Sequence, residues 1–168
     1  LRMSMIVGIG PGADAKFDIQ KVKAYSKFAN KIWNITRYTL STDRAGELKK
    51  ELIDEFHSLV QDITLDMENF RFYLAGEKLY AYIWHRLADE IIEESKGKTE
   101  YGSTLYYILE NSLKLLHPFM PFITEEIWQI LLSRRKVGTP TQNSLPSVLM
   151  VEKWPHFAKA TRGKPYDK

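Results

Sequence analysis

Apolar residues recur at intervals of three and four along most of this chain, and the few places where the interval fails divide it into helices. From about Asp18 to Leu40, the positions Val22, Tyr25, Ala29, Ile32, Trp33, Thr36 and Leu40 keep that interval and predict a first amphipathic helix. Ser41-Thr42-Asp43 supplies capping and turn chemistry, after which Leu48, Leu52, Phe56, Leu59 and Ile63 predict a second helix ending near Asp66 to Asn69. A third should run from about Phe70 to Ser95 with Tyr80, Ile83, Trp84, Leu87 and Ile91 facing inward, and Gly97 is placed to stop it. The fourth carries Leu105, Ile108, Leu109, Ser112, Leu115 and Leu116 until His117-Pro118 breaks it, because a residue before proline is pushed out of helical geometry. Pro121 suits the first turn of a fifth helix. There Glu125 and Glu126 would complement the positive end, and Phe122, Ile123, Ile127, Ile130 and Leu131 would form the buried side.

Between these stretches the composition changes. Gly8 to Asp14 reads as a loop that separates a short apolar leading segment from the first helix. Its glycines lack the Gly-Lys-Ser/Thr ending and the preceding strand of a phosphate loop. Val137 to Pro146 reads as another loop, Ser147 to Val151 as one short strand, and Lys164 to Lys168 as a polar tail. The fold expected is all-α: an antiparallel bundle of about five helices over residues 16–136, between a leading segment (1–15) and a short irregular C-terminal segment (137–168), forming a single domain. The first residues lack an initiator methionine and the organisation of a secretory signal, so the sequence reads as an excised fragment.

Composition then narrows the chemistry. With 44% hydrophobic and 27% charged residues the chain has the balance of a soluble domain, and no apolar run approaches the roughly 20 residues that span a bilayer. No membrane partner is expected. The absence of cysteine rules out disulfides, thiolate zinc sites and thiol nucleophiles within this sequence, and it fits a cytoplasmic location. Lys and Arg exceed Asp and Glu by only 24 to 21, but the excess is local. Lys16, Lys21, Lys23, Lys27, Lys31, Arg37 and Arg44 face only Asp18 and Asp43 in that stretch.

No catalytic residue, metal ligand or cofactor contact is assigned. His85 and Asp89 stand four apart as a surface pair, His117 sits near a helix end, and His57 and His156 have no polar constellation around them in sequence. Glu93-Glu94 and Glu125-Glu126 are adjacent, so each pair diverges by about 100° on a helix and does not converge on a reacting atom.

The first helix carries the informative chemistry. Residues 30–38 combine two amides, two cations and two aromatics, and helical spacing collects Lys31, Asn34 and Tyr38 on one outward stripe. The same spacing extends it back through Lys27, Lys23, Gln20 and Lys16. Lysines would contact phosphates, amides would read base edges, and Tyr38 would offer a stacking face worth about 1–3 kcal/mol per base. A merely solvated helix face is the competing reading. Trp33 reads as core filler.

Two separated motifs carry a resemblance. Phe28-Ala29-Asn30-Lys31-Ile32-Trp33-Asn34-Ile35-Thr36-Arg37-Tyr38 is similar to the Asn-Lys-x-Trp-Asn-x-x-Arg-Phe helix of class I aminoacyl-tRNA synthetases of the valyl type, with Tyr38 where phenylalanine is usual. The run from Leu115 to Trp128, through His117-Pro118-Phe119-Met120-Pro121-Phe122, resembles the penultimate helix break of the same anticodon-binding domain. Leu1-Arg2-Met3-Ser4, Pro11-Gly12-x-Asp14, the run from Leu74 to Tyr80 and Trp154-Pro155 add to the match, which covers nearly all of the chain. Ala88-Asp89-Glu90-Ile91-Ile92-Glu93 departs from it, because the family has an aromatic pair where Glu90 and Ile91 stand. Isoleucyl enzymes, which are readily confused with the valyl type, typically have Arg-Asn in place of Trp33-Asn34, so the resemblance favours the valyl branch.

What the resemblance implies is recognition of the anticodon stem-loop of valine tRNA. Lys16, Gln20, Lys31, Arg37 and Tyr38 fall on the family's anticodon-facing helix, while Lys27 and Asn34 join them by helical spacing. It also implies a parent enzyme, an ATP-dependent valine-tRNA ligase that uses ATP and magnesium in a Rossmann-type catalytic domain and carries an editing domain. That catalytic domain would be the second partner. The chain has no His-Ile-Gly-His-like or Lys-Met-Ser-Lys-Ser-like motif, so this segment alone should be inactive. A monomer is expected. The alternatives are the equivalent isoleucyl domain and a structural bundle that serves interdomain packing.

Overall fold

Where the hydrophobic period is continuous the chain is helical, and where glycine, proline or polar clusters interrupt it the chain turns. A computed structural model describes residues 1–10, 12, 14, 17–135 and 148–155, the side chain of Arg135 excepted. The leading segment is not only loop: α1 (Arg2–Ile6) precedes it and buries Met3. Then come α2 (Ile19–Ser41), α3 (Lys50–Glu68), α4 (residues 72–95), α5 (Gly102–Leu116) and α6 (Pro121–Arg135). α3 packs on α4, and α5 lies against α2, α3, α4 and α6. Among the described residues there is no strand.

α2 starts where Asp18 caps it, its carboxylate accepting from the Gln20 N–H at 2.8 Å. It stops where the Ser41 and Thr42 hydroxyls donate to the Tyr38 carbonyl at 2.7 and 3.1 Å. The polar cluster after α2 therefore closes that helix instead of opening the next. The link to α3 is pressed against the start of α5. Gly46 adopts φ +84°, and a Cβ on Gly102 would lie 1.8 Å from the Asp43 carbonyl oxygen. Ser103 N–H donates to the Ala45 carbonyl at 3.1 Å and fixes the contact.

α4 is one rod with two geometries. Phe72–Ala81 is α-helical, Tyr82–Ile91 is π-helical, and Ile92–Ser95 returns to α. Hydrogen bonds in the middle stretch reach five residues back, which widens each turn. The core runs through the centre of the bundle and includes Phe28, Phe56, Ile63, Leu79, Ile83, Leu105, Ile108 and Trp128.

Five expectations are corrected. Residues Leu149–Val151 form a 3-10 turn instead of a strand, its Leu149 N–H held by Glu125 at 2.9 Å; Ser147 lies outside the described residues. α4 begins at Phe72 because Phe70 takes a left-handed φ of +59°. Leu48 precedes α3 and is exposed, and Phe122 is 90% exposed at the mouth of an apolar groove. Glu125 and Glu126 stand beyond the first turn of α6, too far along it to complement its positive end.

Candidate nucleic-acid interface

The phase of α2 is set by what it buries. Phe28, Ile32, Ile35, Thr36 and Thr39 face the core, so the opposite side is forced into solvent. That side presents Gln20, Lys23, Lys27, Asn30, Asn34, Arg37 and Ser41, all exposed and spaced by three or four. It is a ridge of three cations and three amides. Among the described residues none forms an ion pair with Lys23, Lys27 or Arg37.

Compared with the stripe expected from spacing, the ridge is turned by about 30° around the helix axis. Gln20, Lys23, Lys27 and Asn34 belong to both, and Arg37 lies near the centre of the exposed face. Lys31 and Tyr38 have rotated toward α4. The Lys31 ammonium donates to Asp89 at 2.9 Å and lies 5.5 Å from the centre of the Trp84 ring. Tyr38 is half-buried, with its hydroxyl 2.9 Å from the Ser95 hydroxyl; Ser95 in turn donates to the Ile92 carbonyl, so Tyr38 is the donor in that pair. Lys16 lies outside the described residues. Trp33 is half-buried against the core.

α4 thus supplies a second wall, which periodicity did not reveal. Tyr80 stacks on Trp84 at 5.6 Å, and Phe28 lies 6.2 Å from the same indole ring. Beyond this aromatic group stand Asp89 and His85, whose Nδ1 is 3.7 Å from the second Asp89 oxygen. Asn30 stands outside the stripe that spacing predicts, and its exposed amide continues the ridge.

Several other polar groups are engaged in contacts within the bundle. His57 meets the Tyr107 hydroxyl at 2.8 Å and His117 meets Thr124 at 2.9 Å, and burial pushes both imidazoles below the ordinary histidine pKa. Arg86 binds both oxygens of Glu55 at 2.7 Å and also holds Glu90, tying α3 to α4. Asp66, almost fully buried, receives Arg71 at 2.9 Å and Lys78 at 2.6 Å. Among the described residues no three His, Asp or Glu side chains gather as a metal site. No helix there is long and apolar enough to cross a membrane.

Between α1, α2 and the start of α6 lies a groove of about 420 Å³, bounded by Leu1, Val22, Tyr25, Ala29, Met120 and Phe122. Arg2 closes one end by donating to the Pro118 carbonyl at 3.0 Å.

The sequence model of the anticodon-binding domain of tRNA ligase matches residues 49–166, so it covers α3 to the C-terminal segment and leaves α2 outside the match. The chain is similar to the valine–tRNA ligases of Geobacillus kaustophilus and Geobacillus stearothermophilus, each 38% identical over 152 residues, with 78% of this chain and 17% of the relative covered. The valine–tRNA ligase of Thermotoga maritima is 36% identical over 146 residues, with the same coverage. The chain therefore spans about 17% of the length of these relatives.

Proposed function

Because the chain belongs to the family of anticodon-binding domains of tRNA ligases, we propose that it grips the anticodon stem-loop of valine tRNA through the α2 ridge. The observation that carries this reading is the alignment of exposed Lys23, Lys27 and Arg37 with the amides of Gln20, Asn30 and Asn34 on one helix face. Unpaired cations bind phosphates by releasing counterions, and amides can both donate to and accept from the base edges of an open loop. Lys16, Lys31 and Tyr38 complete the site in this reading, Tyr38 offering the outer part of its ring to an unstacked base. Recognition here helps position the distant acceptor end for chemistry elsewhere.

The parent protein is, on this proposal, a monomeric cytoplasmic valine–tRNA ligase. ATP and magnesium belong to its catalytic domain, and this segment alone charges no tRNA. The apolar groove beside α1 suits contact with that domain, since Leu1 and Phe122 leave large hydrophobic surfaces uncovered at its edge. Such packing accompanies RNA recognition and does not replace it.

The test is binding of the chain to matched RNA hairpins that bear valine, isoleucine or unrelated anticodons. A clear preference for the valine loop is expected. Equal binding to all three hairpins refutes anticodon recognition, and preference for the isoleucine loop reassigns the specificity.

A further inference from the structure

Lys31 differs from the ridge cations in having a carboxylate on one side and an indole face on another. Both belong to the π stretch of α4. Trp84 and Asp89 are five residues apart, which on an α-helix would set them about 140° apart. With hydrogen bonds reaching five residues back they share a face, and both touch Lys31. The Trp84 ring is itself wedged against Tyr80 and Phe28, so this wall is rigid.

An ammonium has three N–H groups and no acceptor. In Lys31 one is given to Asp89, and the ring face occupies another side, so the remaining donor capacity is directed outward in a narrow fan. The Asp89 carboxylate is 48% exposed and stands where an approaching phosphate would meet it. It cancels the charge attraction that makes a lysine a good phosphate ligand. A neutral acceptor on a base suffers no such repulsion and still receives a strong N–H.

We propose that Lys31 reads the acceptor edge of one anticodon base, and that Asp89 is the positioning residue that makes it selective. This rests on the anticodon-binding reading and deepens it. Phosphate contact falls to Lys23, Lys27 and Arg37, while the Lys31–Asp89 pair rejects a base that presents a donor in the same place. Without the carboxylate, Lys31 swings free and behaves as a general cation.

The experiment compares the chain with Asp89→Ala, Lys31→Met and the double variant. Each is titrated with the valine-anticodon hairpin and with three hairpins that carry single-base changes at each anticodon position, over several salt concentrations. Both single variants are expected to lose about tenfold in discrimination at one and the same position, and the double variant no more than either. Lys31→Met should keep the salt slope of the parent chain, whereas Arg37→Met should lower it by about 0.7. Asp89 is exposed, so matching melting curves will exclude a folding defect. A Lys31→Met slope lowered by about 0.7, additive loss in the double variant, or intact discrimination in Asp89→Ala overturns the inference while leaving anticodon binding in place. A parent chain that discriminates at no position removes the anticodon reading, and the inference with it.

Discussion

Replacing Lys23, Lys27 and Arg37 together by glutamine tests whether the exposed face of α2 is an electrostatic surface or only a solvated one. All three are exposed and none has an ionic partner among the described residues, so the substitutions remove charge without breaking a fold contact. If each neutralises one loop phosphate, the logarithm of affinity falls against the logarithm of salt with a slope of about −0.7 per contact, or about −2.1 for three. Raising salt fourfold, from about 50 to about 200 mM, then weakens binding about 18-fold in the parent chain. A single substitution leaves two of these contacts and about a sevenfold loss from them, and the triple variant keeps only the salt dependence that Lys16 contributes. Fluorescence anisotropy with a labelled valine-anticodon hairpin measures all of these slopes. An unchanged slope in the triple variant, with the helical circular dichroism intact, would show that RNA binds elsewhere or through other cations.

Gly102→Ala should destabilise the chain by about 3 kcal/mol or more, because its new methyl carbon would stand 1.8 Å from the Asp43 carbonyl oxygen and the α2–α3 link must move away; a urea midpoint equal to that of the parent chain would refute the close approach. Stability should also fall as pH drops through about 6.5, the unperturbed histidine value. Burial lowers the folded-state pKa of His57 and His117, so the unfolded chain binds more protons across that window, and the stabilisation is complete only above it. Urea titrations between about pH 5 and 7.5 should show this decline, and replacing both histidines by asparagine should flatten it; an equal decline in the double variant assigns the effect to other groups.

The helices were legible because each carries a regular apolar stripe, and α2 ends within a residue or two of where that stripe does. Its rotation was less legible. Spacing by three and four fixes which residues stand together but not where the centre of the exposed face falls, and stripes turned by about 30° from one another obey the same rule. The choice between Lys31 and Asn30, or Tyr38 and Arg37, is made by Phe28, Ile32, Ile35 and Thr39 entering the core. The π stretch left no mark at all in the pattern of apolar residues. An i, i+4 reading pairs Asp89 with His85, and that contact exists at 3.7 Å, but it conceals the closer engagement of Asp89 with Lys31, 58 residues away. What periodicity misses is therefore specific: local geometry that changes which residues of α4 share a face, and so which group on a second helix meets each candidate on the first. Phe122 shows the same limit from the apolar side. Its place in the pattern of α6 predicts burial, yet it is exposed at the edge of a groove. The hydrophobic pattern records which residue types avoid water, and at Phe122 the described residues leave that avoidance unsatisfied.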